Sequence, residues 1–137
     1  MSGFYDKPDV YTYTFPAHDF GTGSNITQVI AVPLDASSVG KRGRVQGVTI
    51  KRVTEDFVGT TTGGGVQVGD GSDADKYYDS GTVLGATVDV AESVFLVDDG
   101  AQVDIEGGRT SITVTCVATV GGSITGIADV DIHIGWY

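Results

Sequence analysis

Ile127-Ala128-Asp129-Val130-Asp131-Ile132-His133-Ile134-Gly135-Trp136-Tyr137 alternates with a period of two. Val130, Ile132, Ile134 and Trp136 fall on one side, and Asp129, Asp131 and His133 on the other. Successive side chains of a strand point to opposite faces, so the run reads as a half-buried β-strand. Ser111 to Thr119 repeats the pattern, with Ile112, Val114, Cys116 and Ala118 inward and Thr113, Thr115 and Thr119 outward. Gly121-Gly122-Ser123 separates the two runs. A slip of one residue would expose either whole apolar set, so both registers are firmly specified.

The same reading extends toward the N-terminus. Arg44 to Val53 is a strand with a defect: Val48 and Ile50 alternate with Thr49 and Lys51, whereas Val45 is out of phase. The slip predicts a β-bulge at Gln46-Gly47. Ile26 to Val32 is a strand stopped by Pro33, and Asp35 to Gly40 a loop with one helical turn. In Val10-Tyr11-Thr12-Tyr13-Thr14-Phe15 the three aromatics share a face; Pro16 to Ser24 reads as a loop. Glu55 to Gly65 reads as a flexible connector with no apolar anchor. Val66 to Gly69 is a short strand, and Thr82 to Val90 another, weakened by Gly85. Asp98-Asp99-Gly100 predicts a hairpin between Ser93–Val97 and Ala101–Glu106.

Helical periodicity never runs beyond about two turns, and turns recur every 8–12 residues, as in β-sandwiches. The fold class expected is all-β: an antiparallel β-sandwich or jelly roll of about eight strands. Residues 1–9, polar and containing Pro8, read as an extended N-terminal arm, and 10–137 as the β-sandwich domain. At 137 residues, 21 of them glycine, the chain has room for a sizeable core without disulfides.

The 18 acidic residues exceed the 8 basic ones, a net charge of −10 that argues against direct nucleic-acid binding. Five of the eight cations (Lys41, Arg42, Arg44, Lys51, Arg52) lie within residues 41–52. A charge run of this kind is ordinarily a solvated face; read functionally, it is a basic strip on an acidic body. No apolar run approaches the ~20 residues of a membrane span. The opening residues carry no charged-then-apolar leader, so the expectation is synthesis and folding in a reducing cytoplasm without a signal peptide.

Candidate chemistry is sparse. Asp70, Asp73 and Asp75 offer the clustered carboxylates a calcium ion takes, but their spacing is not that of an EF-hand. A turn rich in Asp for backbone reasons is the better reading. His133 lies between carboxylates, yet no G-x-S-x-G elbow accompanies it or His18. Cys116, the single cysteine, sits in an apolar row and reads as a small buried hydrophobe. Tyr77-Tyr78 and Trp136-Tyr137 suit either a sugar-stacking platform or core packing. No cofactor and no enzymatic activity is expected.

Val66-Gln67-Val68-Gly69-Asp70-Gly71-Ser72-Asp73-Ala74-Asp75-Lys76-Tyr77-Tyr78 resembles a stretch common in small structural proteins of tailed bacteriophages. The whole chain is similar to head decoration (cement) proteins in its Gly/Thr/Val-rich, acidic, nearly cysteine-free composition and its polar arm. The resemblance implies a homotrimer on the outside of a virion head, clamping neighbouring major capsid proteins. It transfers no individual functional residues. The expected contacts are the arm, with Phe4 and Tyr5, and the strip Lys41, Arg42, Arg44, Lys51 and Arg52. The alternative is a receptor- or carbohydrate-binding module of a phage tail or fibre, which needs an exposed aromatic platform.

Overall fold

A computed structural model describes residues 9–57, 62–86, 88, 90–98, 103–122 and 124–137. Its strands are β1 (Asp9–Asp19), β2 (Ile26–Ala31), β3 (Gly43–Glu55), β4 (Gly65–Gly69), β5 (Tyr78–Asp79), β6 (Val94–Leu96), β7 (Ser111–Val117) and β8 (Ile127–Trp136). A single helical turn, α1 (Leu34–Ser37), sits between β2 and β3. One four-stranded sheet has the order β1-β8-β3-β6, and the other β2-β7-β4-β5. Every pairing is antiparallel. First pairs with last, second with seventh, third with sixth and fourth with fifth, as in a long hairpin rolled over itself. That nesting is the jelly roll, one of the two architectures expected.

β8 lies between β1 and β3, and its alternation is realised: Ala128, Val130, Ile132, Ile134 and Trp136 are at most 1% exposed. Opposite them, Ile112, Val114 and Cys116 of β7 line the second sheet's inner face. Tyr11, Tyr13 and Phe15 of β1 stand beside Ile134, Ile132 and Val130 and pack, half-buried, against the same core.

The predicted bulge is present, with the β3–β8 register shifting between Val45 and Gly47. Gly47 has φ 154°, and a Cβ there would collide with the Phe95 ring and stand 2.8 Å from the Leu96 carbonyl. Only glycine lets β6 close over β3 at this point. A second shift, between Lys51 and Glu55, contains Arg52 at φ 50°.

Several expectations are corrected. β1 continues through Pro16 to Asp19, where a loop was expected. It is an edge strand, where proline is tolerated. A register shift lies between Phe15 and His18, and the displaced Ala17 N–H donates to Asp129 Oδ1 instead of to the ladder. Among its described residues Thr82 to Val90 forms no strand: Leu84–Ala86 is a 3-10 turn, and the Val88 N–H reaches the Leu84 carbonyl. Buried Leu84 and Val88, four residues apart, suit a helical turn better than a strand. The 55–65 connector does have an apolar anchor, because Phe57 is fully buried with its ring centroid 5.2 Å from that of Phe20. The expected 93–97/101–106 hairpin is replaced by longer-range pairing. β6 pairs with β3, and Ile105 bridges Gly43. Of that hairpin, Asp99, Gly100, Ala101 and Gln102 lie outside the described residues, as do residues 1–8 of the expected arm.

Truncating Ile132, with no exposed surface, should cost about 2–5 kcal/mol of unfolding free energy. A Val29→Ala change on the exposed face of β2 should stay within about 0.5 kcal/mol. Urea denaturation of both variants checks the difference.

Candidate interaction site

The cations of residues 41–52 lie along β3 and the loop before it, and they do not form one bare strip. Arg44 and Lys51 are seven residues apart, roughly 23 Å along an extended strand. Lys41 Nζ meets Asp9 at 3.1 Å, Arg44 Nε meets Asp104 at 2.8 Å, Lys51 Nζ meets Asp131 at 2.7 Å, and Arg52 Nη1 meets Asp129 at 3.3 Å. Arg42 pairs with Tyr137 through its backbone, while its side chain enters no ion pair among the described residues.

Lys51 and Arg52 are consecutive, yet both reach the outward row of β8. The register supplies the reason: Lys51 stands opposite Asp129 and reaches diagonally to Asp131. The positive φ at Arg52 then turns the next side chain back onto Asp129. Asp131 also accepts from Thr14 Oγ1 at 2.8 Å. Burial pushes its carboxyl upward, but Lys51 and Thr14 outweigh that and hold it below the usual carboxylate range. His133 continues the row, with Nδ1 3.0 Å from Thr12 Oγ1 and Nε2 2.8 Å from Thr49 Oγ1. The Phe95 ring stacks beside it. Both ring nitrogens are thus committed to threonines, and the imidazole has none left for a substrate. The outward row of β8 is a closed polar network, with Asp129 and Asp131 themselves buried.

A second network ties the loop after β4 to the segment before β7. Asp70 Oδ1 accepts from the Ser72 N–H, the Ser72 hydroxyl and the Asp73 N–H, each at 2.9 Å. Its Oδ2 faces Lys76 Nζ at 3.2 Å and Arg109 Nη2 at 3.9 Å. Those bonds, the two from Ser72 first, hold the Asp70 carboxyl far below its ordinary value. Asp73 does not join Asp70 around a common point. Its carboxyl lies beside Asp75, whose pKa it raises. Asp70 is the keystone of a turn, and among the described residues no group of three or more acidic, histidine or cysteine side chains is arranged to hold a metal.

Lys76 Nζ also contacts Glu106 at 2.6 Å, and the Tyr77 hydroxyl donates to the same carboxylate. The Tyr137 hydroxyl donates to Asp104, which Arg44 holds from its other side. Arg42, Arg44, Val103, Asp104 and Glu106 line an open cleft of about 510 Å³ at this end of the sandwich. Asp104, Glu106 and Arg109 carried no signal in the sequence. They lie some 30 to 60 residues from Arg44 and Lys76 or Asp70, and only the rolled topology brings them together.

The remaining candidates are structural. Burial pushes the Cys116 thiol up to about 12, far from a reactive thiolate. His18 packs edge-on against Phe20, and burial lowers its pKa. Tyr77, Tyr78 and Trp136 are each 1% exposed, so three of the four rings needed for an aromatic platform lie in the core. Only Tyr137 of the four is at the surface, with its hydroxyl committed to Asp104.

No family model and no curated protein matches the chain. Among solved structures, it is similar to a chain of the structure titled "Cyanophage Pam1 capsid asymmetric unit", with TM-score 0.50 and 20% sequence identity. The match covers 98% of this chain and 90% of that one. The two share a fold. At that identity the likeness is one of backbone architecture over nearly the whole length, and it assigns no residue a role.

Glu106 is held at about 2, below its ordinary 4.5, chiefly by the Lys76 and Tyr77 bonds. A depressed carboxylate contributes stability above its unfolded pKa and loses it as pH falls through the folded value. Thermal unfolding should therefore show a loss between pH of about 4.5 and 2 that is shallower in Glu106→Gln. Equal slopes would remove Glu106 from the acid sensitivity.

Proposed function

We propose that this chain is a non-enzymatic structural protein of a phage head, binding the outside of the shell as a homotrimer and stabilising it as decoration proteins do. The observation that carries the reading is the fold likeness to a chain of a capsid structure, which runs the length of both chains. The local chemistry agrees with it. His133 is saturated by threonines and Cys116 is a buried thiol, so the groups most suited to catalysis serve the fold instead.

In this reading the partner is the major capsid protein, and the contacts are the N-terminal residues with Phe4 and Tyr5 together with the Arg42 side of the cleft. Four of the five cations at 41–52 are paired within the chain. Arg42 is the one whose charge remains available to a partner's acid. Symmetric closure multiplies such modest contacts by avidity, so no single one has to be strong. The acidic remainder of the surface keeps a densely covered shell soluble.

Two measurements test the proposal. Light scattering should give about 43 kDa, three copies of the 14.2 kDa chain. Gold-labelled antibody should decorate the heads of purified virions; label confined to tails would move the protein to the receptor-binding alternative. Arg42→Glu should weaken re-binding to heads stripped of the protein while leaving its stability within about 0.5 kcal/mol.

A further inference from the structure

Each four-stranded sheet ends in two edges, and an edge offers unpaired N–H and C=O groups to any passing strand. Three of the four edges carry a protective device. β1 has Asp9, Asp19, Pro16 and an irregularity at residues 16–17. β5 is two residues long and β6 three. β2 has none of these. Ile26-Thr27-Gln28-Val29-Ile30-Ala31 is six residues long, uncharged, free of proline and glycine, and in unbroken register with β7.

The orientation of its free groups follows from the ladder. The Val32 N–H donates to the Thr110 carbonyl across the β7 side. Antiparallel bonding alternates, so Ile30, Gln28 and Ile26 turn their backbone groups the same way. The N–H and C=O of Thr27, Val29 and Ala31 then face away from the sheet. The side chains of these three are on the outer face, and Val29 is 70% exposed. On β7 that face continues through Thr113 and Thr115, both buried, with the Thr113 hydroxyl donating to the Asp70 carbonyl, and beyond Gln67 of β4 it reaches Asp79 of β5.

We propose that β2 pairs with β2 of a second copy across a twofold axis, joining the two sheets β2-β7-β4-β5 into one of eight strands. Charge favours this edge for contact between copies: chains of net charge −10 repel wherever acids meet, and the six residues of β2 contribute none, the nearest acids of that face lying beyond β7 in the Asp70 turn and at Asp79. Parity selects the register. Residues paired across an antiparallel twofold must lie on the same face, so the axis passes through a residue and not between two. Placing it at Val29 buries the most exposed apolar side chain of the strand against its own copy and sets Thr27 opposite Ala31. The contact does not depend on the capsid reading. A closed trimer that leaves β2 outside its own interface can use this edge to join the next trimer.

The test is the pairing itself. Val29→Cys should oxidise to a covalent dimer at least tenfold faster than Ala31→Cys, since residue 29 meets its own copy at a Cα separation of about 5.5 Å. Residue 31 meets residue 27 and stands roughly 14 Å from its own copy. Cys116 is buried and does not compete. Val29→Lys should abolish concentration-dependent dimerisation, or association between trimers, in sedimentation while leaving the unfolding midpoint unchanged. Equal oxidation rates, or association indifferent to Val29→Lys, would overturn the proposal. Capture of this edge by a strand of another protein would also give equal rates and count against it. A trimer that persists in Val29→Lys together with undiminished association between trimers leaves the capsid reading standing while β2 pairing fails.

Discussion

β8 is the strand on which both sides of the larger sheet depend. Its inward row joins the Tyr11, Tyr13 and Phe15 face of β1 to Val45, Val48 and Ile50 of β3, and closes against β7. Its outward row holds two acids and a histidine at positions where water would ordinarily solvate them. Asp129 and Asp131 are nevertheless buried, because β1 and β3 lean polar side chains over them from either side. A buried carboxylate is tolerated only when paired and hydrogen-bonded. Lys51, Thr14, Arg52 and the Ala17 N–H meet that requirement. One strand therefore fixes the core by hydrophobic burial and orients its neighbours by electrostatics.

This arrangement changes the meaning of the basic run on β3. In sequence it is a surplus of positive charge on an acidic chain. In the fold, Lys51 and Arg52 neutralise acids of β8, Arg44 neutralises Asp104 and Lys41 neutralises Asp9. The more exposed pairs, Lys41–Asp9 and Arg44–Asp104, contribute little to stability individually. Their effect is on the surface field: the cations leave the outer surface as charges available to a partner, and Arg42 remains. The two sheets consequently differ. One presents a polar, internally satisfied outer face; the other ends in β2, whose Thr27, Val29 and Ala31 are exposed on an uncharged edge.

The turn network shows the same conversion of apparent chemistry into structure. Asp70, Asp73 and Asp75 have the composition of a cation site. The first is instead consumed by backbone and hydroxyl donors of its own turn and by Lys76, while the other two stand side by side. The turn folds back far enough for Tyr77 and Tyr78 to enter the core, where Tyr78 donates to the Leu96 carbonyl at 2.8 Å. Glu106 meets Lys76 and Tyr77 from a segment thirty residues away, so the loop is fixed to the base of β7.

Elements whose physics is local are legible in the order of the residues. The two-residue alternation of β7 and β8, the out-of-phase Val45 that announces the Gly47 bulge, the stop at Pro33 and the helical turn before Gly40 all follow from side chains a few positions apart. They suffice for an all-β sandwich and for the burial of Cys116. Tertiary structure alone decided which strand lies beside which. Ser93 to Val97 was locally as good a hairpin partner for 101–106 as for β3, and Leu84 with Val88 was compatible with strand or turn until the neighbours were in place. The same holds for the polar groups. Nothing near Arg44 points to Asp104, or near Lys76 to Glu106, because an ion pair depends on distance in space, and strand order sets that distance.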